Sequence, residues 1–113
     1  MEMVTAGGIR RGDVFLISLD PTRGEEIQKT SPCVIVSPDE LNANLRTFIA
    51  APLTTGSHPY PFRVACKLQG RSGHIVLDQI RTVHRERLVR RLGKLSSSTL
   101  TRALAILQEM FTP

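Results

Sequence analysis

Residues 11–38 read RGDVFLISLDPTRGEEIQKTSPCVIVSP, and the polar loop at their centre gathers carboxylates, hydroxyls and the cations Arg23 and Lys29 in one short stretch. Those residue types supply proton acceptors, hydrogen-bond donors and positive charge, the components of acid–base chemistry on an anionic substrate. A loop between two strands is a natural place for them. Elsewhere the chemistry is sparser. His58, His74 and His84 stand apart from one another, each more readily a surface or strand histidine than a ligand; His58, within TTGSHPYPF, is the best placed of the three. No HxxxH, CxxC or clustered carboxylate set offers metal-ligand spacing, so neither a metal nor another cofactor is expected.

Charge sharpens the expected substrate. Fifteen Lys and Arg against ten Asp and Glu give a formal +5, and twelve of those cations are Arg. Between Arg71 and Lys94 lie Arg71, Arg81, Arg85, Arg87, Arg90, Arg91 and Lys94, opposed only by Asp78 and Glu86. Arg grips phosphate oxygens in a bidentate fork better than Lys does, so a polyanionic partner is expected.

The elements that must hold these residues follow from periodicity. Strands are predicted near 13–19, 32–37, 46–53, 62–69 and 73–78, then a shorter extended stretch near 79–92, with turn chemistry in DPTRG, SPDELNAN, TTGSHPYP and QGRSG. DELNAN fits one helical turn capped by Asp39. Ser96, Ser97 and Ser98 offer N-caps for a carboxy-terminal amphipathic helix over about 98–111, with Leu100, Leu104, Leu107 and Phe111 at helical spacing and Ala103 filling in. Strands first and a helix last give an α+β, mostly β domain built on a twisted antiparallel sheet. At 113 residues the chain is expected to be one domain over 1–113, with residues 1–10 flexible. Its few aromatics leave the core to Val, Ile, Leu and Ala, with Phe15, Phe48, Phe62 and Phe111 as the large pieces. Cys33 and Cys66 sit in apolar strand patterns and read as buried thiols. The amino terminus lacks a signal-peptide run and no segment nears the roughly 20 apolar residues of a membrane span, so a cytoplasmic protein with no membrane partner is expected.

Three ordered motifs carry a family resemblance: RGD, an apolar strand, DPT and G-x-E within residues 11–26; APLTT followed by YPF within 51–62; and GHIVLDQIRTV at 73–83. In order and spacing they resemble the MazF/PemK family of toxin endoribonucleases over nearly the whole chain from Arg11. The resemblance implies an SH3-like barrel with its terminal helix. It further implies a sequence-specific, metal-independent endoribonuclease acting on single-stranded RNA, the toxin of a type II toxin–antitoxin system, working as a homodimer and neutralised by a cognate antitoxin whose acidic, disordered segment binds across the RNA groove. By position, Thr54 falls on the family's catalytic Thr, Glu26 on its loop Glu, and Ser31, before Pro32, on its Arg. Candidate RNA-binding residues are Arg23, Lys29, His58, Tyr60, Arg81, Arg85 and Arg87, with Tyr60 able to stack an unpaired base; Phe62 could do so too but is expected in the core. Cleavage without a metal drives the 2′-hydroxyl onto the adjacent phosphorus, which calls for a proton acceptor, a proton donor and a cation to balance the phosphorane. Two readings of Ser31 stand: an active ribonuclease using other local cations, or a catalytically weakened copy that acts by binding RNA or antitoxin.

Overall fold

A computed structural model describes residues 8–19, 29–55 and 60–113. Its elements are β1 (Asp13–Ser18), β2 (Thr30–Ile35), α1 (Asp39–Asn44), β3 (Thr47–Thr54), β4 (Arg63–Leu68), β5 (Arg71–Val76), β6 (Arg81–His84), β7 (Leu88–Lys94) and α2 (Ser97–Met110), with single 3-10 turns at Leu77–Gln79 and Arg85–Arg87. The strands pair antiparallel in the order β4-β5-β3-β2-β1-β7. β3 is shared along one edge: β6 pairs its first half, Thr47 opposite His84 through Ala50 opposite Arg81, and β5 pairs its end, Leu53 opposite Ile75 and Thr54 opposite His74. That division curls the sheet into a half-barrel. The stretch near 79–92 is two strands, because the 3-10 turn at Arg85 breaks it; His84 Nδ1 accepts from the Glu86 amide (3.2 Å) and the Arg85 amide donates to the Arg46 carbonyl (2.8 Å).

Alternation along the strands loads both faces of the sheet. One face buries Val14, Val34, Ala51, Leu53, Val64, Cys66 and Ile75 beneath α2, whose Ala103 is fully buried and whose Leu100, Ile106, Leu107 and Met110 pack beside it. Each large side chain so buried contributes about 1.5–3 kcal/mol. The other face buries Phe15, Ile17, Cys33, Ile35, Phe48, Ala50 and Val83, with Ile9 among them. Ile9 is thus part of the core, inside the stretch expected to be flexible. Leu100, Ala103 and Leu107 face the core as expected, joined by Ile106 and Met110, whereas Phe111 is the C-cap and is 72% exposed. Phe62 also leaves the expected core. It occupies the left-handed region (φ 62°) in a turn closed by Arg63 N–H to the Tyr60 carbonyl (3.3 Å), and it is 40% exposed.

The Arg11-Gly12-Asp13 turn ties separate elements together. Gly12 takes φ 95°, a conformation that favours glycine, and lets its amide reach the Ile35 carbonyl (2.7 Å) while its carbonyl accepts from Leu95 N–H (3.0 Å). Asp13 is buried and receives the Arg10 amide (2.9 Å) and Arg91 Nη2 (3.0 Å). Arg11 donates through its amide to Asp39 Oδ1 (2.7 Å) and through Nε to the Val36 carbonyl (2.8 Å). Asp39 is therefore not the helix cap. Pro38 holds that position without a side-chain bond, and the Asp39 carboxylate serves the turn. Ser96 does cap α2, its Oγ accepting from Thr99 N–H (3.3 Å).

Candidate active site

Register brings the site together. Ile17 lies opposite Ser31 on β1 and β2, and Cys33 lies opposite Pro52 on β2 and β3. Carried two residues further, that second register sets Ser31 across from Thr54. Thr54 lies opposite His74, and His74 opposite Ala65. Directly opposed residues share a face, so Ala65, His74 and Thr54 form one row across β4, β5 and β3, and the pair Ile17 and Ser31 on β1 and β2 continues its line on the same face. Thr54 is exposed, while Ser31 and His74 are half-buried. The row therefore offers a hydroxyl flanked by an imidazole on one side and a second hydroxyl on the other.

Arg81 adds a charge to the same face. It lies opposite Ala50, and its Nη2 donates to the Leu19 carbonyl (3.4 Å), one same-face step beyond Ile17. Burial pushes the Cys33 thiol up to about 11, and the Arg81 guanidinium pulls it down. A group that bonds Leu19 and is felt at Cys33 brackets Ser31, which lies between those two rows of β2 and β1. Cys33 is itself tied to that residue, Sγ to the Ser31 carbonyl at 3.7 Å.

The other sequence candidates distribute as follows. Lys29 is exposed at the start of β2, its carbonyl accepting from Leu19 N–H (3.3 Å). Tyr60 is exposed, with the Arg63 guanidinium 4.8 Å above its ring, and Arg63 Nε also meets Asp78 Oδ1 at 3.3 Å. Arg85 and Arg87 lie by the first residues of β3, roughly 23 Å of strand from Thr54. Glu26, Arg23 and His58 lie outside the described residues. Sequence reasoning favoured His58 and passed over His74. No local signal marks His74, since its neighbourhood depends on β5 joining the end of β3.

Two cavities meet at that junction. One, about 170 Å³, is bordered by Pro32, Leu53 and Thr54 with Arg71 and Gln69; the other, about 560 Å³, runs toward α2 between Lys67, His74 and Arg102. Thr55, Cys66, Ser72 and Gly73 border both. Among the described residues no group of three or more His, Cys, Asp and Glu side chains is arranged to hold a metal ion, and no helix is long and apolar enough to cross a membrane.

Residues 10–111 match the family described as PemK-like, MazF-like toxin of type II toxin-antitoxin system, and the chain belongs to that family. It is 32% identical over 109 residues to the endoribonuclease MazF9 of Mycobacterium tuberculosis, covering 81% of this chain and 86% of that one. It is 32% identical over 110 residues to the endoribonuclease PemK of Escherichia coli, covering 92% of this chain and 83% of the other. Among solved structures, a mycobacterial endoribonuclease in complex with its cognate antitoxin superposes with a TM-score of 0.76 at 25% identity, covering 92% of this chain and 96% of its counterpart.

Proposed function

We propose that this chain is a sequence-specific, metal-independent endoribonuclease that cleaves single-stranded RNA as the toxin of a toxin–antitoxin pair. The observation that carries the reading is Thr54 paired with His74 at the end of β3, with Arg81, opposite Ala50 on the same face, reaching the Leu19 carbonyl. In the reaction the RNA 2′-oxygen bonds to phosphorus as the bond from phosphorus to the 5′-oxygen breaks. The 2′-proton passes to a base, and the leaving oxygen takes a proton from an acid. His74 and Glu26 are the pair assigned to these transfers, each worth about 10²–10⁴-fold. Thr54 Oγ1 donates to a non-bridging phosphate oxygen, and Arg81 balances the phosphorane charge. Tyr60, backed by Arg63, stacks an unpaired base and contributes to sequence choice.

The protein works as a cytoplasmic homodimer: two-fold dimers are the commonest closed oligomers, and pairing doubles the basic segment from Arg81 to Arg91 along one groove. An acidic antitoxin segment that orders on binding competes for that groove. Single-turnover cleavage of a long unstructured RNA with chelator present tests the activity. Thr54→Ala lowering the rate by about 10²-fold with little change in RNA affinity supports it; equal rates overturn it.

A second reading is motivated by Ser31, whose neutral hydroxyl offers less to a phosphorane than a guanidinium does. In it the chain binds RNA or antitoxin without cutting. Absence of cleavage by the unmodified protein, with RNA binding intact, would select this reading.

A further inference from the structure

The larger cavity begins at the outer end of the Thr54 row, where His74 and Ala65 border it, and its lining suits a polyanion. It opens between the edge strand β4, the start of β5 and the first turns of α2, and the titratable groups bordering it are Lys67, His74, Arg102 and Cys66, with no carboxylate among them. Thr55, Ser72, Ser96 and Thr99 add hydroxyls. Arg102 is fixed there, because its Nη2 donates to the Ala65 carbonyl at 3.1 Å. Its charge is directed into the sheet edge as well, pulling the Cys66 thiol down against the burial that raises it. Lys67 is exposed on β4, two residues from Ala65. Continuity with the candidate centre is provided by Thr55, which follows Thr54 directly and borders both cavities.

We propose that this trough is a second phosphate subsite for RNA, in which Lys67 and Arg102 hold the backbone of the strand after it has passed Thr54. The inference rests on the reading of the protein as a ribonuclease and adds the path of the substrate beyond the bond that is cut. A strand of one or two nucleotides ends before the trough, whereas a longer one places further phosphates against the two cations and the hydroxyls. Each phosphate neutralised on a single strand contributes about 0.7 to the slope of log affinity against log salt. Two such contacts set the size of the effect.

The test measures binding apart from cleavage, using 2′-O-methyl RNA strands of about two and about twelve nucleotides across a salt series. Lys67→Gln with Arg102→Gln is expected to weaken the longer strand about tenfold or more and to lower its salt slope by about 1.4, while leaving the shorter strand unchanged. The rate of cleavage at saturating RNA is expected to stay as it was. Arg46→Gln with Lys94→Gln removes the same charge elsewhere, and thermal melting of both variants reports whether the fold is kept; Lys67→Arg with Arg102→Lys is expected to restore the slope. An unchanged slope in the first variant overturns the proposal. So does equal loss on the short strand or in the Arg46/Lys94 variant, which would assign the effect to net charge. Loss of an acidic peptide with RNA binding intact overturns it in favour of an antitoxin surface. A protein that cleaves RNA yet ignores these substitutions removes the subsite alone, and one that binds RNA without cleaving leaves it standing.

Discussion

Gly73 lies so close against Thr54 that a Cβ on it would sit 2.0 Å from the Thr54 carbonyl oxygen. No real contact is that short, so the end of β3 and the start of β5 approach only because residue 73 has no side chain. Gly73→Ala must push the strand end away and, with it, the Thr54 hydroxyl. The expected outcome is a destabilisation of about 1–3 kcal/mol in urea denaturation together with a cleavage loss larger than the stability loss explains.

Arg81 and Ser31 provide a charge-relocation experiment. Arg81→Ala is expected to lower single-turnover cleavage by on the order of 10²–10³. Adding Ser31→Arg to that variant returns a guanidinium to the same face and is expected to recover at least tenfold. Rates of the two variants, with RNA affinity measured in parallel, check this; no recovery in the double variant would remove Arg81 from the charge-balancing role.

His74→Gln keeps a polar side chain opposite Thr54 but cannot transfer a proton. Cleavage is expected to fall by about 10²-fold or more with RNA affinity nearly unchanged. His84→Gln, at the far end of β3, is the control and is expected to leave the rate alone.

The Asp13 carboxylate is only 4% exposed and is matched by Arg91 across from β7. Arg91→Ala leaves that buried carboxylate with the Arg10 amide as its remaining described partner, and a loss of about 1–3 kcal/mol is expected. Asp13→Asn in the Arg91→Ala background should give part of it back, which urea midpoints would report.

Cys33 sets an alkaline limit on stability. Its folded value of about 11 lies above the ordinary thiol value of 9.0, so the folded chain keeps the thiol proton where the unfolded chain has lost it. The contribution is fully present below about 9 and is lost as pH rises toward about 11, to the extent of about 2–3 kcal/mol. Cys33→Ala is expected to flatten that limb in denaturation curves taken across the range. A variant curve parallel to that of the unmodified protein would contradict the assignment.

Much of the scaffold was legible because it depends on local pattern. Alternation marked the strands, the serine run marked the start of α2, and motif order pointed to the family that the comparisons bear out. Phe62 and Phe111 departed from expectation because a left-handed turn and a helix end, rather than hydropathy, decide their exposure. The role of Asp39 escaped because its partner, Arg11, is 28 residues away in sequence. His74 escaped for the same kind of reason: only the pairing of β5 with the end of β3 puts it beside Thr54, and periodicity carries no information about which strands become neighbours.

The Arg11-Gly12-Asp13 turn joins the entry to β1, the start of α1, the end of β2 and the last strand through bonds from only three consecutive residues. None of these residues belongs to the Thr54 row. In cells forced to express an active form of this protein, survivors that carry missense changes should therefore arise here as well as at the row, and the two groups should separate by protein abundance. Turn changes deplete the chain, whereas row changes leave it plentiful and harmless. A genetic map of escape would thus draw the keystone of the fold as clearly as it draws the chemistry.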